Sequence, residues 1–246
     1  MAKQGEIDYL KNIGPEGVRH AANKPFSDPN CAGYLMGIAA IRSLLPPPPA
    51  RLLDLGCGTG WTSMFFAKMG YEVVGVDIAA DMIRCARDLK QREGLDNIDF
   101  AVSDYEHLRY ESEFDCAVFF DALHHAVDES LAVKAAFKAL KPGGVCVTSE
   151  PGKGHAHQPA SLRAIDEFGV TEKDMPPAKV ISLGRAAGFK IFNVYPGAST
   201  TQAAMYGRAT NEKLSKLVRR IAMRHAFLLA SSVLKSRLGG IVTMQK

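Results

Sequence analysis

From Arg51 onward, short apolar runs alternate with amphipathic stretches, and this rhythm predicts alternating strands and helices. Strands are expected at Arg51–Leu55, Tyr71–Asp77, Ile98–Val102, Asp115–Phe120 and Val145–Glu150. Helices are expected between them at Gly60–Met69, Ala79–Glu93 and Asp128–Leu140. Gly94 closes the second helix, and Lys141-Pro142-Gly143-Gly144 stops the third. Strands joined by helices in this way form a mostly parallel sheet covered on both faces, a doubly wound α/β architecture. The unbroken apolar run from Cys116 to Phe120 suits a strand at the centre of that sheet.

The pattern differs on either side. Residues 1–50 are expected to form an N-terminal helical cap, with a loop at Lys24–Asn30 and a helix at Gly33–Leu45. Pro46 to Pro49 end that helix and form a short stiff spacer, since proline lacks the N–H and fixes φ. Pro151–Pro159 is a loop bearing glycines and histidines, followed by short helices near Ala160–Phe168 and Ala178–Ala187. Phe189–Tyr195 is expected as a sixth strand, Thr200–Tyr206 as a weaker seventh, and Asn211–Leu238 as one long helical stretch. The expected division is a cap over 1–50, a central domain over 51–208 and a basic amphipathic C-terminal helix over 209–246.

The chain has 246 residues, of which 47% are hydrophobic and 23% charged, the balance of a globular protein with a full core. The apolar run Ala226–Leu234 is too short to span a bilayer, and the N-terminus lacks the basic-then-apolar signature of a secretory signal. Five cysteines without a C-x-x-C pair argue against a disulfide framework or a structural zinc site. They suit a reducing, cytoplasmic compartment.

The net charge of +4 is segregated. Residues 201–246 hold nine Lys and Arg against the single acid Glu212, so the remainder carries −4. No nucleic-acid partner is therefore expected at the central domain. On the C-terminal helix, Leu214, Leu217, Val218, Ile221 and Leu228 share a face opposite Lys213, Lys216, Arg219, Arg220 and Arg224. Packing on the sheet or in a homo-oligomer is the first reading of this helix. Peripheral contact with an anionic membrane is the second.

The most informative segment is Leu53-Asp54-Leu55-Gly56-Cys57-Gly58-Thr59-Gly60, a strand running through three glycines into a helix. Glycines allow a tight bend and close contact with a ligand, and nucleotides bind at this first turn beside the helix N-terminus. Asp77 ends the second strand, where a carboxylate can accept from both hydroxyls of a ribose; its alternative role is a helix N-cap. Asp104 and Tyr105 follow the third strand at the same sheet edge, positioned for an adenine amine and ring.

Together with Val-Val-Gly-Val-Asp, Ser-Asp-Tyr, Phe-Asp-Cys-Ala-Val-Phe-Phe-Asp-Ala-Leu-His-His and Leu-Lys-Pro-Gly-Gly, these residues resemble class I S-adenosylmethionine-dependent methyltransferases across roughly residues 50–150. The resemblance implies a Rossmann-like seven-stranded sheet with an antiparallel last strand, a methyltransferase domain over 51–208 and S-adenosyl-L-methionine as cofactor. It implies that Gly56, Gly58 and Gly60 border the cofactor's amino-acid part, that Asp77 holds the ribose and Asp104 the adenine side. Asp121 then lies near the transferred methyl. Asp54, Cys57, Trp61, Ile78, Met82 and Tyr105 complete the expected cofactor-binding set.

Methyl transfer needs an acceptor held in line with the methyl, and a hydroxyl acceptor also needs a base. His124 and His125 after the fourth strand, and Glu150 and His155 after the fifth, are the candidates. Two adjacent histidines lack the spacing of a helical metal pair, so no metal is expected. The run Phe168–Pro177 has no core pattern. With the Glu-Pro-Gly-Lys-Gly-His loop it resembles bacterial methyltransferases of polysaccharide and secondary-metabolite synthesis, which implies a small-molecule or glycan acceptor. A nicotinamide-dependent oxidoreductase is the rival class, disfavoured by the G-x-G-x-G spacing. A non-catalytic S-adenosylmethionine-binding regulator is the third.

Overall fold

The computed structural model describes residues 3–206, 219, 222, 223, 225, 226 and 240–246. Seven strands form one sheet: β1 (Arg51–Leu55), β2 (Glu72–Asp77), β3 (Ile98–Val102), β4 (Phe114–Phe120), β5 (Leu140–Glu150), β6 (Ile191–Pro196) and β7 (Gly240–Gln245). Their spatial order is β3-β2-β1-β4-β5-β7-β6. The pairings among β1 to β5 are parallel, and β7 runs antiparallel to both β5 and β6. The chain reverses its direction of travel across the sheet at β1, which opens a crevice at the carboxyl ends of β1 and β4.

Side chains alternate across the sheet with the two-residue period of a strand. Leu53, Leu55, Ala117 and Phe119 pack with α6 (Glu129–Ala139) and α8 (Pro177–Ala187) on one face. Leu52, Cys116 and Val118 pack with α3 (Cys31–Leu44), α4 (Trp61–Lys68) and α5 (Ala80–Glu93) on the other. The helix boundaries have local causes. Asp128 caps α6 by accepting from the Ser130 and Leu131 N–H groups, and Gly94 ends α5 in the left-handed conformation. The Lys141–Gly144 run does follow the end of α6, but it belongs to β5.

Two expectations are corrected. Thr200–Tyr206 is not a strand but part of α9 (Ala198–Tyr206), which lies against α3. Alanine, glutamine and methionine favour helix there. The strand that completes the sheet is instead β7, placed by sequence within the C-terminal helix. Ile241, Val242 and Met244 are buried between β5 and β6, so the sheet needs the last residues of the chain. The rest of the expected basic helix lies almost wholly outside the described residues. No helix among the described residues is long and apolar enough to cross a membrane.

The N-terminal segment folds as two helices that the sequence pattern did not resolve, α1 (Gln4–Asn12) and α2 (Gly14–Ala22). They close over the crevice. Thr59 Oγ1 in the glycine loop donates to the Ala21 carbonyl at 2.7 Å, and Tyr9 packs edge-on against Phe168 of α7 (Pro159–Phe168). Gly5 lies so close to the Gly169 carbonyl that a Cβ there would stand 2.0 Å from its oxygen.

The segment after α7 is anchored by Glu129, which binds Lys173 at 2.7 Å and Lys179 at 2.5 Å. Burial opposes ionisation of Glu129, but the two lysines outweigh it and hold its carboxyl down at about 2. A carboxyl depressed in the folded state stabilises the fold above its unfolded pKa. That contribution is lost as pH falls through the folded value. The wild-type urea midpoint should therefore drop between pH 4.5 and about 2 more steeply than that of Glu129→Gln. Parallel midpoints across that window would remove the anchor.

Candidate active site

The glycine loop sits at the crevice. Gly56 and Cys57 both donate their N–H groups to the Val76 carbonyl, at 2.9 and 3.0 Å, which bends the chain off β1 toward β2. Gly56 has φ +74° and faces Ala122, whose Cβ would stand 2.7 Å from an added Cβ. Gly60 has φ +83°, and a Cβ there would meet Ala86 and Phe100 at 2.8 Å. These two positions admit only glycine on both conformational and steric grounds. Gly58 differs, because nothing lies within 4 Å of its Cβ position, so a ligand can come close to the backbone there.

Asp77 fixes that loop. Its two carboxylate oxygens accept the N–H groups of Gly58 and Ala79, each at 2.9 Å. Burial raises its pKa despite these two bonds. Asp77 thus anchors the glycine turn and is not the N-cap of α5, a position held by Ala79 without a side-chain cap bond, and Asp77 also borders the cavity. Asp104 is held below the usual carboxylate range. Burial works against this, but the Lys3 ammonium at 2.5 Å and His107 outweigh it. Lys3 also reaches Glu106 at 2.9 Å, which latches the N-terminus to the β3 edge.

Two adjoining cavity lobes, each of about 320 Å³, share Tyr9, Lys24, Gly56, Met82 and Asp121. Asp77, Ile78, Asp104 and Tyr105 line the first. Cys57, Gly58, Trp61 and Phe120 line the second. Trp61 sits in an aromatic group with Tyr34, Phe65 and Phe120. The Tyr105 hydroxyl is engaged by the Ala122 carbonyl at 2.9 Å, so the ring supports the loop from below. Asp121 has φ +53°, in the left-handed region that aspartate adopts more readily than most residues, and borders both lobes.

Three expected site residues, Asp54, Gly60 and Glu150, line neither lobe. Asp54 is fully buried and accepts the hydroxyls of Thr62 at 2.6 Å and Ser63 at 2.5 Å. Burial pushes its carboxyl up to about 6 despite these bonds. It ties β1 to α4 and is structural. Glu150 is also sealed, with its side chain 1% exposed. One oxygen accepts the Ala122 and Leu123 N–H groups, and the other accepts the His124 N–H and lies 2.8 Å from His124 Nδ1. It orients the turn after β4 and has no path to an acceptor.

The acceptor-facing wall is built from three separate segments. His124 and His125 stand in a 3₁₀ turn at Leu123–His125, and His155 stands in a second one at His155–His157. Glu172 comes from the segment after α7. Its Oε2 lies 2.7 Å from His155 Nε2 and 3.7 Å from His124 Nε2. Asp174 locks the segments together by accepting the Gly154 N–H at 2.8 Å and the Ala156 N–H at 3.0 Å. His125 Nδ1 meets the Thr171 carbonyl at 2.7 Å. Burial disfavours its charge, but Glu6 and Glu172 outweigh that and raise its pKa to about 9. Glu172 was not singled out by sequence reasoning. The absence of a core pattern over Phe168–Pro177 was its only trace. Glu6 and Tyr9 from the cap were missed as well, whereas Lys24 belongs to the loop expected at Lys24–Asn30 and lines both lobes.

A seven-stranded mixed sheet of this order, with a glycine loop after β1 and an acid at the tip of β2, defines the class I S-adenosylmethionine-dependent methyltransferases. Residues 48–181 match the family model described as a methyltransferase domain, and the chain belongs to that family. Among curated proteins, the ubiquinone biosynthesis O-methyltransferase of Xanthomonas axonopodis pv. citri is 31% identical over 133 residues, covering 53% of this chain and 51% of that one. Its counterpart in Xanthomonas campestris pv. campestris is 32% identical over 138 residues, covering 55% and 53%. The chain thus spans about half the length of the curated relatives it matches. Among solved structures, phosphoethanolamine N-methyltransferase 2 of Haemonchus contortus in complex with S-adenosyl-L-methionine superposes with TM-score 0.68 at 17% identity, over 97% of this chain and 59% of that one. An S-adenosylmethionine-dependent methyltransferase from Mesorhizobium loti superposes with TM-score 0.58 at 21% identity, over 85% and 96%. These likenesses are of fold.

Proposed function

We propose that the protein transfers a methyl group from S-adenosylmethionine to a hydroxyl of a small-molecule or glycan acceptor. The observation that carries this reading is the His155–Glu172 pair on the wall of the cleft, since a hydroxyl needs a base where an amine does not. The O-methyltransferase activity of the curated relatives supports it.

The cofactor fits the residues present. The open side of Gly58 admits a ligand against the backbone, Asp77 offers lone pairs to a ribose, and Ile78 and Met82 offer apolar contact to an adenine. Bound there, S-adenosylmethionine supplies a methyl on a sulfonium, which leaves as a neutral thioether. The residues do the rest. Glu172 accepts from His155 Nε2–H and so leaves Nδ1 as the basic nitrogen that takes the acceptor's proton. His125 is not the base in this arrangement, because its Nδ1 is engaged by the Thr171 carbonyl and no carboxylate orients it toward an acceptor as Glu172 orients His155. Glu6, Asp77, Asp104, Glu106, Asp121 and Glu172 outnumber Lys3 and Lys24 along the main lobe, which suits a sulfonium and disfavours an anionic acceptor. The helices α1 and α2 act as the cap that excludes water.

Calorimetric titration with S-adenosylhomocysteine and with NAD tests the cofactor assignment. S-adenosylhomocysteine should bind, and Asp77→Ala should weaken it at least about tenfold, or ~1.4 kcal/mol. NAD binding without an S-adenosylhomocysteine response would replace the reading with the oxidoreductase. Equal affinity in the variant would remove Asp77 from the site. Transfer of labelled methyl to phenolic, catecholic or sugar hydroxyls, and not to amines, is the expected acceptor profile.

A further inference from the structure

We propose that His124, His125 and Glu172 bind a divalent transition-metal ion at the acceptor end of the cleft. One ligand atom from each lies within 4.8 Å of the other two, and all three residues border the main lobe. Metal–nitrogen and metal–oxygen bonds are about 2.0–2.2 Å, so two ligands of one ion can stand about 4 Å apart. His124 Nε2 and Glu172 Oε2, at 3.7 Å, are too far apart for a good hydrogen bond and near enough to share an ion.

The groups behind the histidines point the same way. The Thr171 carbonyl can only accept, so His125 Nδ1 carries the hydrogen at that 2.7 Å contact. The sealed Glu150 carboxylate likewise takes the hydrogen of His124 Nδ1 at 2.8 Å. Each ring therefore presents Nε2 as its ligating atom, and each is oriented by an acceptor behind it. A carboxylate or carbonyl behind a histidine is the usual support of a metal ligand. Glu6, Asp121 and Glu172 surround the histidines with negative charge, which favours a cation.

The sequence expectation of no metal rested on helical spacing. These histidines instead stand in a 3₁₀ turn with ring centroids 4.0 Å apart and planes tilted by 38°, so neighbours in sequence become neighbours on one wall. Two imidazoles and one carboxylate select zinc, cobalt, iron or manganese over magnesium or calcium. A second group, Asp104, Glu106 and His107, has comparable spacing, but the Lys3 ammonium already sits on both of its acids. The role of the ion in drawing an acceptor oxygen toward the methyl rests on the function proposed above. The binding does not.

The test uses the tag-free full chain, stripped with chelator and titrated with cobalt(II) by visible absorption and with zinc by calorimetry. One ion per chain is expected, with an absorption band of imidazole-ligated cobalt. His125→Gln and Glu172→Gln should each weaken binding at least about tenfold. His107→Gln should leave it unchanged. S-adenosylhomocysteine titration of the same samples reports whether each variant is folded and whether the cofactor reading stands. Metal binding without S-adenosylhomocysteine binding would sink that reading and keep the metal site. Absence of ion uptake by the wild type, equal affinity in both ligand variants, or loss in His107→Gln would overturn the proposal.

Discussion

Replacing His155 by alanine is expected to lower turnover of a hydroxyl acceptor about 10²- to 10³-fold, which is ~2.7–4 kcal/mol of transition-state stabilisation. The affinity for S-adenosylhomocysteine should change little, because the hydrogen bonds that hold the glycine loop and Asp77 do not involve His155. Glu172→Gln should share most of the loss. Its carboxylate is what fixes the tautomer of His155 across 2.7 Å, and an amide in its place can present either an oxygen or a nitrogen. The double variant should be hardly worse than either single one, since residues acting as a unit are not additive. Added imidazole should restore part of the His155→Ala rate without altering the Glu172→Gln rate. That separates a lost base from a lost orienting group. Cobalt binding should survive in His155→Ala and fail in Glu172→Gln. Single-turnover rates under saturating cofactor measure this directly. A wild-type rate in His155→Ala would exclude it as the base.

The parts that follow local rules were legible in the sequence. The five parallel strands and their helices follow from hydrophobic period, and the loop after β1 follows from its glycines. β7 was not legible. Gly240–Gln245 follows a long basic, helical pattern, and its partners β5 and β6 are distant in sequence. Short runs such as Thr200–Tyr206 carry no period that separates strand from helix, and packing on α3 decides that one. Asp54 shows a signal that was present but unused. It shares the parity of Leu52, whose side chain faces α3 to α5, so the two-residue period already turned Asp54 toward α4 and away from the crevice. Glu172 and Glu6 could not be found this way. They are brought to the histidines by the long-range contacts of α1 with the loop after α7, and no local pattern records such contacts.

The largest stability loss should come from Glu150→Ala, the residue that sequence reasoning placed as a base. Three backbone N–H groups, from Ala122, Leu123 and His124, end on this one carboxylate, and the His124 ring adds a fourth contact. Truncation leaves these donors without their acceptor in a place sealed from bulk water. A buried unsatisfied donor costs about 1–3 kcal/mol, so at least ~4 kcal/mol is expected in all. For a domain of this size that corresponds to a fall in Tm on the order of 10 °C. Glu150→Gln keeps one acceptor oxygen and should cost about half as much. Urea unfolding monitored by circular dichroism and by the single tryptophan, Trp61, measures both variants. A Glu150→Ala loss below about 1 kcal/mol would show that the turn after β4 holds its shape without the carboxylate. The expected loss, together with retained S-adenosylhomocysteine binding in the surviving folded fraction of Glu150→Gln, would make Glu150 the strut that joins the tips of β4 and β5. The histidines could then face the cleft only because this buried charge holds the chain that carries them.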